Sequence, residues 1–291
     1  VVKASAEAPR HVSYLHIFIW AYFLMDSYLI IWLLILGACT GFFAGLFGIG
    51  GGGIMMPMLT VIFLSAGHPE DLSIHMGLAT SMAAIIPTAL ASLRIHHAHG
   101  AVDWRAVGML TPGILVGTLA SAYIATQLPA APLAIFFSLF MAYVALQMVL
   151  NKKPSPARTF PHWGITSGVG IVIGVVSALV AIGGGTLTVP FLIWCSFALP
   201  RAIGTSAAVG LPIAVFGTLG YLLSGLNQEH LPEYTLGYIY WPAVVLMALM
   251  STITAPLGAK LTHRLPVASL KKYFALLLIS LSLHMLWKMF G

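Results

Sequence analysis

Charged side chains are scarce in this chain of 291 residues: Asp, Glu, Lys and Arg make up only 7% of it, whereas ordinary soluble domains contain roughly 25%. Cysteine is also scarce, and Cys39 and Cys195 provide neither a disulfide framework nor a zinc-type spacing. Both cysteines lie in apolar segments, where we expect buried, small hydrophobic side chains. So few charges could not cover the surface of a soluble protein of this size, and the composition excludes that class.

Long apolar runs take the place of the missing charges. Hydrophobic residues make up 59% of the chain, and the mean hydropathy is +0.98. A membrane helix needs about 20 apolar residues to cross about 30 Å of hydrocarbon. We predict an all-α integral membrane protein with about ten apolar segments, five in each half. The segments are 28–47, 53–66, 74–93, 107–126 and 133–150, followed by 163–181, 186–198, 202–223, 238–261 and 270–289.

The same composition predicts four regions along the chain. Residues 1–27 contain an apolar stretch too short for a comfortable crossing and without a small-residue cleavage site after it, so we expect a leading or interfacial helix. Residues 28–150 form a first transmembrane repeat, and residues 163–291 form a second one. Between them, residues 151–162 are a basic, proline-rich linker.

Internal duplication supports this division. The phrase FGIGGGGIMMP at 47–57 returns as AIGGGTLTVP at 181–190, about 133 residues later. In the same order, ATSMAAIIP at 79–87 matches GTSAAVGLP at 204–212, and a weaker match pairs the corners at 127–129 and 264–266. Each glycine phrase precedes a segment of only about 14 residues, which predicts a half-helix returning from a glycine turn.

Charge placement predicts that the two repeats have opposite orientations. In the first repeat, Arg94 and Arg105 lie between the third and fourth segments, and the next loop has no charge. In the second repeat the equivalent of the uncharged loop carries Lys260 and Arg264 instead. By the positive-inside rule the basic loops and the linker 151–162 are cytoplasmic. Each half would then be a glycine-broken hairpin plus three crossings, and the two halves would be inverted repeats.

Acidic residues are missing from the centres of the apolar segments, which disfavours a cation pump. Backbone amides at the glycine turns remain, and helix N-termini of this kind bind oxyanions. Hydroxyl groups beside the turns, Thr188 among them, would add hydrogen-bond donors. The residues alone therefore indicate a small anion as the ligand. The predicted binding residues are Gly50, Gly51, Gly52, Gly53, Thr80, Ser81, Gly183, Gly184, Gly185, Thr186, Thr205 and Ser206.

Other motifs are weaker. Small residues in membrane helices commonly serve close packing, which is the competing explanation for each glycine taken singly. The glycine phrases lack the strand and lysine of a nucleotide-binding loop, and we predict no cofactor and no nucleic-acid partner. The run of His96, His97 and His99 is expected to be a basic turn facing lipid headgroups rather than a metal site. His75 is expected to act as a cap or an interfacial residue.

The duplicated glycine phrases, the ATS and GTS elements and the basic linker together resemble the sulfite exporter family TauE/SafE, also called TSUP, over nearly the whole chain from about Leu33. The resemblance implies a bacterial cytoplasmic membrane protein that carries sulfite, thiosulfate, sulfoacetate or a related organosulfonate. Gly53 and Met55 of the first phrase stand where the second has Thr186 and Thr188, so the two half-sites need not be equivalent.

We therefore expect a secondary transporter, with export as the favoured direction, that works by alternating access. Four prolines in the matched segments are the expected hinges: Pro57, Pro87, Pro190 and Pro212. A passive channel or facilitator for a small anion or neutral solute would share these features. A more distant alternative is an intramembrane enzyme with Ser206 as nucleophile, for which His284 is a late candidate base.

Overall fold

The computed structural model describes residues 11–47, 51–150, 160–228, 231–261 and 267–290. Within these ranges the chain forms ten α-helices and one antiparallel pair of two-residue strands. The helices are α1 His11–Phe47, α2 Gly52–Ser65, α3 Glu70–Ala98, α4 Trp104–Ala125, α5 Ala130–Leu150, α6 Trp163–Leu179, α7 Gly185–Trp194, α8 Leu199–Gly225, α9 Trp241–Leu261 and α10 Val267–Phe290, and the strands are β1 Thr235–Leu236 and β2 Ile239–Tyr240.

Seven of these helices are long and apolar enough to cross a membrane, and α2, α6 and α7 are shorter apolar helices. The protein is therefore a multi-pass membrane protein with the helical content and the number of segments predicted from the sequence. The β1–β2 pair, in which Leu236 faces Ile239, was not predicted. Two-residue strands are too short to show a periodic pattern.

The first helix is longer than expected. α1 starts at His11 and continues to Phe47 without a break at residue 27. Residues 1–10 lie outside the described part, so the separate leading region stays a prediction. Cys39 is exposed on α1, and the prediction that both cysteines are buried is wrong for it, although Cys195 is buried. An apolar helix next to lipid can expose a small hydrophobic side chain at little cost, because the surroundings are also apolar.

Both glycine phrases break the helix with a left-handed residue. Gly51 has φ 77° and precedes α2, and Gly184 has φ 78° and precedes α7. A side chain is disfavoured at this backbone conformation, which explains the need for glycine at these two positions. The turns are what end α1 and α6 and send the chain back as a short helix.

The helices pack mainly through pairs drawn from different repeats. α1 lies along α9, and Gly37 and Gly41 let it approach the α9 backbone closely. In the same way α4 lies along α6, where Gly113 packs directly on the backbone of Ser167. Small residues allow this approach, which supplies the van der Waals contacts that hold membrane helices together.

Contacts between helices also give their relative directions. α1, α3 and α9 run one way. The hydroxyls of Thr80 and Thr88 contact Tyr240, just before α9, and Ser251 within it. Gly37 and Gly41 of α1 pack in the same order on Met247 and Ser251. α4, α6 and α8 run parallel to one another, because Asp103 meets Thr205 while Ala122 lies against Gly220 further along both helices. α3 and α8 run in opposite directions, with Met82 beside Gly217.

These directions place the charged helix ends on two faces. The face that we call basic collects the end of α3, the starts of α4 and α8 and the end of α9; its charged residues include Arg94, Arg105, Arg201 and Lys260. Asp103 caps α4 there and accepts from the Arg201 guanidinium at 2.6 Å. The opposite face, called acidic, contains the start of α3 with Glu70 and Asp71.

The short helices start in the centre and end on opposite faces. α2 begins with Gly52 beside Ile85 and ends near the start of α3, so it runs antiparallel to α3 toward the acidic face. α7 begins beside Gly210 of α8 and runs antiparallel to α8, with Leu192 packed on Ala202 near the basic face. α3 is the most enclosed long helix, with 83% of its apolar window buried, so the core surrounds it.

Two glycines of α4 test the close packing of α4 on α6. A methyl group at Gly113 would overlap the Ser167 carbonyl, whereas one at Gly108 would meet nothing within 4 Å. We expect Gly113→Ala to cost about 2 kcal/mol by overpacking and to lower the unfolding midpoint in detergent by about 5 °C. The matched Gly108→Ala should leave the midpoint within about 1 °C. Equal midpoints for both variants, measured by tryptophan fluorescence, would contradict the close α4–α6 contact.

Candidate functional site

The two helix N-termini that follow the glycine turns lie next to each other inside the protein. Gly52, the first residue of α2, packs on the carbonyl of Ala181 in the second glycine phrase, and it leaves no room for a side chain. Gly210 of α8 likewise lies against the Gly183 carbonyl. Neither Gly51 nor Gly184 provides a side-chain cap, because glycine has none. The uncapped start of α2 therefore lies against the turn that leads into the uncapped start of α7, and each start has a partial positive charge.

All the described glycines of the predicted site belong to these two starts. Gly51, Gly52 and Gly53 are buried at the first turn, and Gly183, Gly184 and Gly185 are buried at the second. Gly50 lies outside the described residues. Gly53 approaches side chains of Leu278 and Met141, so one side of the first turn is apolar.

Thr80 and Thr205, predicted to bind solute, each hold the start of a helix from the other repeat. The Thr80 hydroxyl accepts a hydrogen bond from the Tyr240 amide at 3.1 Å, just before α9. The Thr205 hydroxyl accepts from the Asp103 amide at 2.9 Å, just before α4. The two threonines therefore play matching structural roles. A hydroxyl that accepts one bond can still donate another, so their predicted role in binding stays open.

Three other hydroxyls beside the turns have no assigned bond. Ser81, Thr188 and Ser206 are fully buried, and their side-chain oxygens lack a hydrogen-bond partner among the described residues. Thr186, the second residue of α7, is 7% exposed. An unpaired buried hydroxyl costs free energy, so its presence calls for an explanation such as a ligand or water.

A small cavity lies beside the second glycine turn, between α3 and α8. It has room for about one water molecule. Ser92 lines it with a buried hydroxyl that has no partner among the described residues, and Thr88 lines it with a hydroxyl 2.6 Å from that of Ser251. The rest of the lining is Ala44, Ile85, Ala89, Gly183, Ala207 and Gly210.

Sequence reasoning missed Thr88 and Ser92. A signal was present: Ser81, Ile85, Thr88 and Ser92 are spaced four, three and four residues apart, which puts them on one face of α3. Three hydroxyl residues on one face of an apolar helix indicate a polar surface inside the bundle. The predicted binding hydroxyls all lie inside the duplicated phrases, whereas Thr88 and Ser92 follow the phrase at 79–87.

The four predicted hinge prolines all lie inside helices. Pro57 is in α2, Pro87 in α3, Pro190 in α7 and Pro212 in α8. Each removes one backbone hydrogen bond from its helix, which is a local weakness where bending costs less. Pro87 immediately precedes Thr88 of the cavity. Their role as hinges stays a prediction.

His75 caps a helix, in agreement with the expectation for it. Its Nε2 lies 3.0 Å from the carbonyl oxygen of Ala125 at the end of α4, and its ring lies 5.3 Å from that of Tyr238. Asp71 accepts from the Ala130 amide at the start of α5. Burial raises the pKa of the Tyr238 phenol, and the Asp71 charge raises it further, so this phenol stays protonated at neutral pH. These contacts join α3, α4 and α5 at the acidic face.

His97, His99 and His284 form ordinary local contacts, whereas His96 is buried within α3, so the expected turn facing lipid headgroups is wrong for His96. His97 accepts from the Trp104 indole at 3.3 Å, and His99 lies 2.7 Å from the Ile95 carbonyl oxygen, both near the basic face. His284 is exposed on α10 and lies against Trp287, whereas Ser206 is buried in α8. The described contacts provide no link between the serine and the histidine of the enzyme alternative.

Comparison with known proteins gives a consistent result. The family model described as sulfite exporter TauE/SafE matches residues 33–285. A probable membrane transporter protein of Haemophilus influenzae is 38% identical over 256 residues, which cover 88% of this chain and 97% of that protein. One from Methanocaldococcus jannaschii is 28% identical over 260 residues, covering 87% and 94%. The Bacillus subtilis protein YunE, also named a probable membrane transporter, is 22% identical over 276 residues, covering 88% and 97%.

No solved structure matches the chain. The family model spans both glycine turns, both threonine caps and the cavity, and its match therefore includes the whole candidate site. The chain belongs to the TauE/SafE sulfite exporter family of membrane transporters.

Proposed function

We propose that this protein is a secondary transporter that moves a small sulfur-containing anion, such as sulfite, thiosulfate, sulfoacetate or a related organosulfonate, by alternating access. Export is the proposed direction. The observation that carries the proposal is the contact of the α2 N-terminus, at Gly52, with Ala181 of the glycine turn that precedes α7. Each helix start provides partial positive charge inside the bundle without a basic side chain, which suits an oxyanion. The family name supplies the sulfur chemistry.

The repeats are proposed to be inverted in the membrane. Support comes from the opposite directions of α3 and α8, which occupy matching places in the two halves. Further support comes from α2 and α7, which leave the centre toward opposite faces. Secondary transporters are commonly built in this way, with the solute held where broken helices meet.

We infer that the basic face is cytoplasmic in the cytoplasmic membrane of a bacterium, with the linker 151–162 on that side. The support is the collection of Arg94, Arg105, Arg201 and Lys260 at one face. Basic residues favour the cytoplasmic side of a membrane protein. Trp104 and Trp163, exposed at the starts of α4 and α6, suit the headgroup level of the same side.

Binding would combine backbone amides with hydroxyl donors. The amides at the start of α7 lie beside Gly183, and Ser92 offers a hydroxyl from the facing wall of α3. Ser81, Thr186 and Ser206 remain proposed contributors, and so does Gly50, which lies outside the described residues. An oxyanion is larger than one water molecule, so the cavity must widen before it can bind. Bending at Pro87, Pro190, Pro212 and Pro57 is the proposed means.

A ligand panel and a flux assay test the proposal together. We expect sulfite, thiosulfate or sulfoacetate to raise the unfolding midpoint of the purified protein, while sulfate and phosphate serve as comparison anions. In proteoliposomes, an imposed proton or sodium gradient should then drive concentrative movement of the same anion. Flux that only equalises concentrations would indicate a channel instead. If none of sulfite, thiosulfate and sulfoacetate raised the unfolding midpoint, the proposed substrate class would be refuted.

Ser92 provides a sharp test of the binding surface. Its hydroxyl has no partner among the described residues, so Ser92→Ala should leave stability nearly unchanged. If the hydroxyl donates to a charged solute, its loss should weaken binding about tenfold. Ser138 on α5 is a matched control, because it is also buried, unpartnered among the described residues and outside the cavity. Calorimetric titration should show weaker binding for Ser92→Ala alone, and equal affinities for both variants would remove Ser92 from the site.

The second glycine turn can be tested against another left-handed glycine. Gly184→Ala forces a side chain into a φ of 78° and against Ile213, which should displace the start of α7 and weaken anion binding about tenfold or more. Gly67→Ala carries the same backbone strain at φ 86° but meets nothing within 4 Å. Gly67→Ala should therefore lose stability and keep its affinity. If Gly184→Ala bound the anion with unchanged affinity, the start of α7 would take no part in anion binding.

A further inference from the structure

The lining of the central cavity differs from the residues at the matching positions in the other half of the chain. The matched phrases at 79–87 and 204–212 relate α3 to α8 at an offset of 125 residues. By that relation Thr88 and Ser92 of the cavity correspond to Ile213 and Gly217, and Ala207 corresponds to Met82. At these three positions the cavity lining has two hydroxyl residues and an alanine, whereas the matching positions have two large apolar side chains and a glycine.

Met82 fills the corresponding space. A Cβ placed on Gly217 would lie 3.0 Å from the Met82 sulfur and 3.2 and 3.3 Å from its Cε and Cγ. Met82 itself is fully buried. Ile213 fills the neighbouring volume, because its side chain lies directly against Gly184. The absence of a side chain at Gly217 is therefore compensated by the thioether from the facing helix.

The contact between Met82 and Gly217 is next to the cavity, on its acidic-face side. Met82 is one turn before Ile85 of the lining along α3, and Gly217 is two turns after Gly210 along α8. Ser92 and Ala207 lie on the other side, toward the end of α3 and the start of α8 at the basic face. A solute that left the cavity between α3 and α8 toward the acidic face would therefore pass Met82.

We propose that Met82 is the gate between the solute cavity and the acidic face. An unbranched thioether adapts its shape readily, so this side chain can close the path against Gly217 and swing aside when α3 and α8 separate. Because Gly217 has no side chain, it leaves the space that the Met82 side chain occupies when the path is closed. The gate rests on the alternating-access transport proposed above, but it does not depend on which anion the protein carries.

Thiol labelling from each side of the membrane tests the gate without any solute. The reporter is Ala207→Cys in a chain with Cys39→Ser and Cys195→Ser, probed by a membrane-impermeant methanethiosulfonate in right-side-out and inside-out vesicles. We expect Met82→Ala to raise the labelling rate from the acidic face about tenfold, because an alanine side chain is too small to block the path. Met76→Ala, which shortens another fully buried methionine of α3, is the control and should leave that rate unchanged.

Two further variants keep the test decisive. Met82→Leu conserves most of the volume and should label like the parent from the acidic face. Met82→Val shortens the side chain while leaving less of a void than alanine, and it should show the same increase in smaller degree if the alanine variant fails to fold. An acidic-face rate that stays unchanged in both Met82→Ala and Met82→Val, with Ser92→Cys as a second reporter, would overturn the gate.

The labelling result separates the gate from the proposed substrate. Increased acidic-face labelling in a protein that moves no sulfur anion would support the gate and refute only the substrate class. If the protein concentrates a sulfur anion but substitutions at Met82 do not change the labelling rate, the gate is refuted. The proposed transport function would then remain intact.

Discussion

The start of an α-helix inside an apolar environment is the constraint on which this structure depends. The first amides of a helix have no partner within it, and hydrocarbon offers none, so such a start must be enclosed by protein or open on a polar space. Here two starts, at Gly52 and Gly185, are enclosed together by α3 and α8. The glycine turns make the starts possible, and the surrounding long helices keep lipid away from them.

The close approach of the long helices follows from the same requirement. α1 on α9 and α4 on α6 are held at short range by glycines, and each pair joins one repeat to the other. The threonine caps at Thr80 and Thr205 tie the starts of α9 and α4 to the central helices in the same cross-repeat manner. The two halves of the chain are therefore joined by direct backbone contacts along their long helices.

Matched halves need not provide matched sites. Thr88, Ser92 and Ala207 surround a cavity, while Ile213, Gly217 and Met82 at the matching positions pack tightly. The duplicated backbone gives both halves the same turn and the same caps. The side chains around those turns then differ, so solute contacts can be concentrated on one side and closure on the other.

Local features of the sequence were sufficient for much of the fold. The short segment predicted at 53–66 is α2 at Gly52–Ser65, because the glycine cluster allows the left-handed conformation that separates two apolar helices. His75 was expected to be a cap or an interfacial residue, and it caps the end of α4 from within α3 rather than the start of its own segment. The continuous α1 through residue 27 and the β1–β2 pair were not predicted, since neither hydropathy nor periodicity marks them.

The candidate site was only partly predictable from local features of the sequence. Glycines and hydroxyls beside the duplicated phrases were named, but Thr80 and Thr205 proved to hold helix starts, and Thr88 and Ser92 of the cavity were overlooked. The sequence by itself determined the membrane class, the two breaks and the separation of charge, because these follow from local composition and backbone freedom. Only the tertiary structure decided which hydroxyls face a cavity and which cap a helix, because that depends on how α3 and α8 are set against each other.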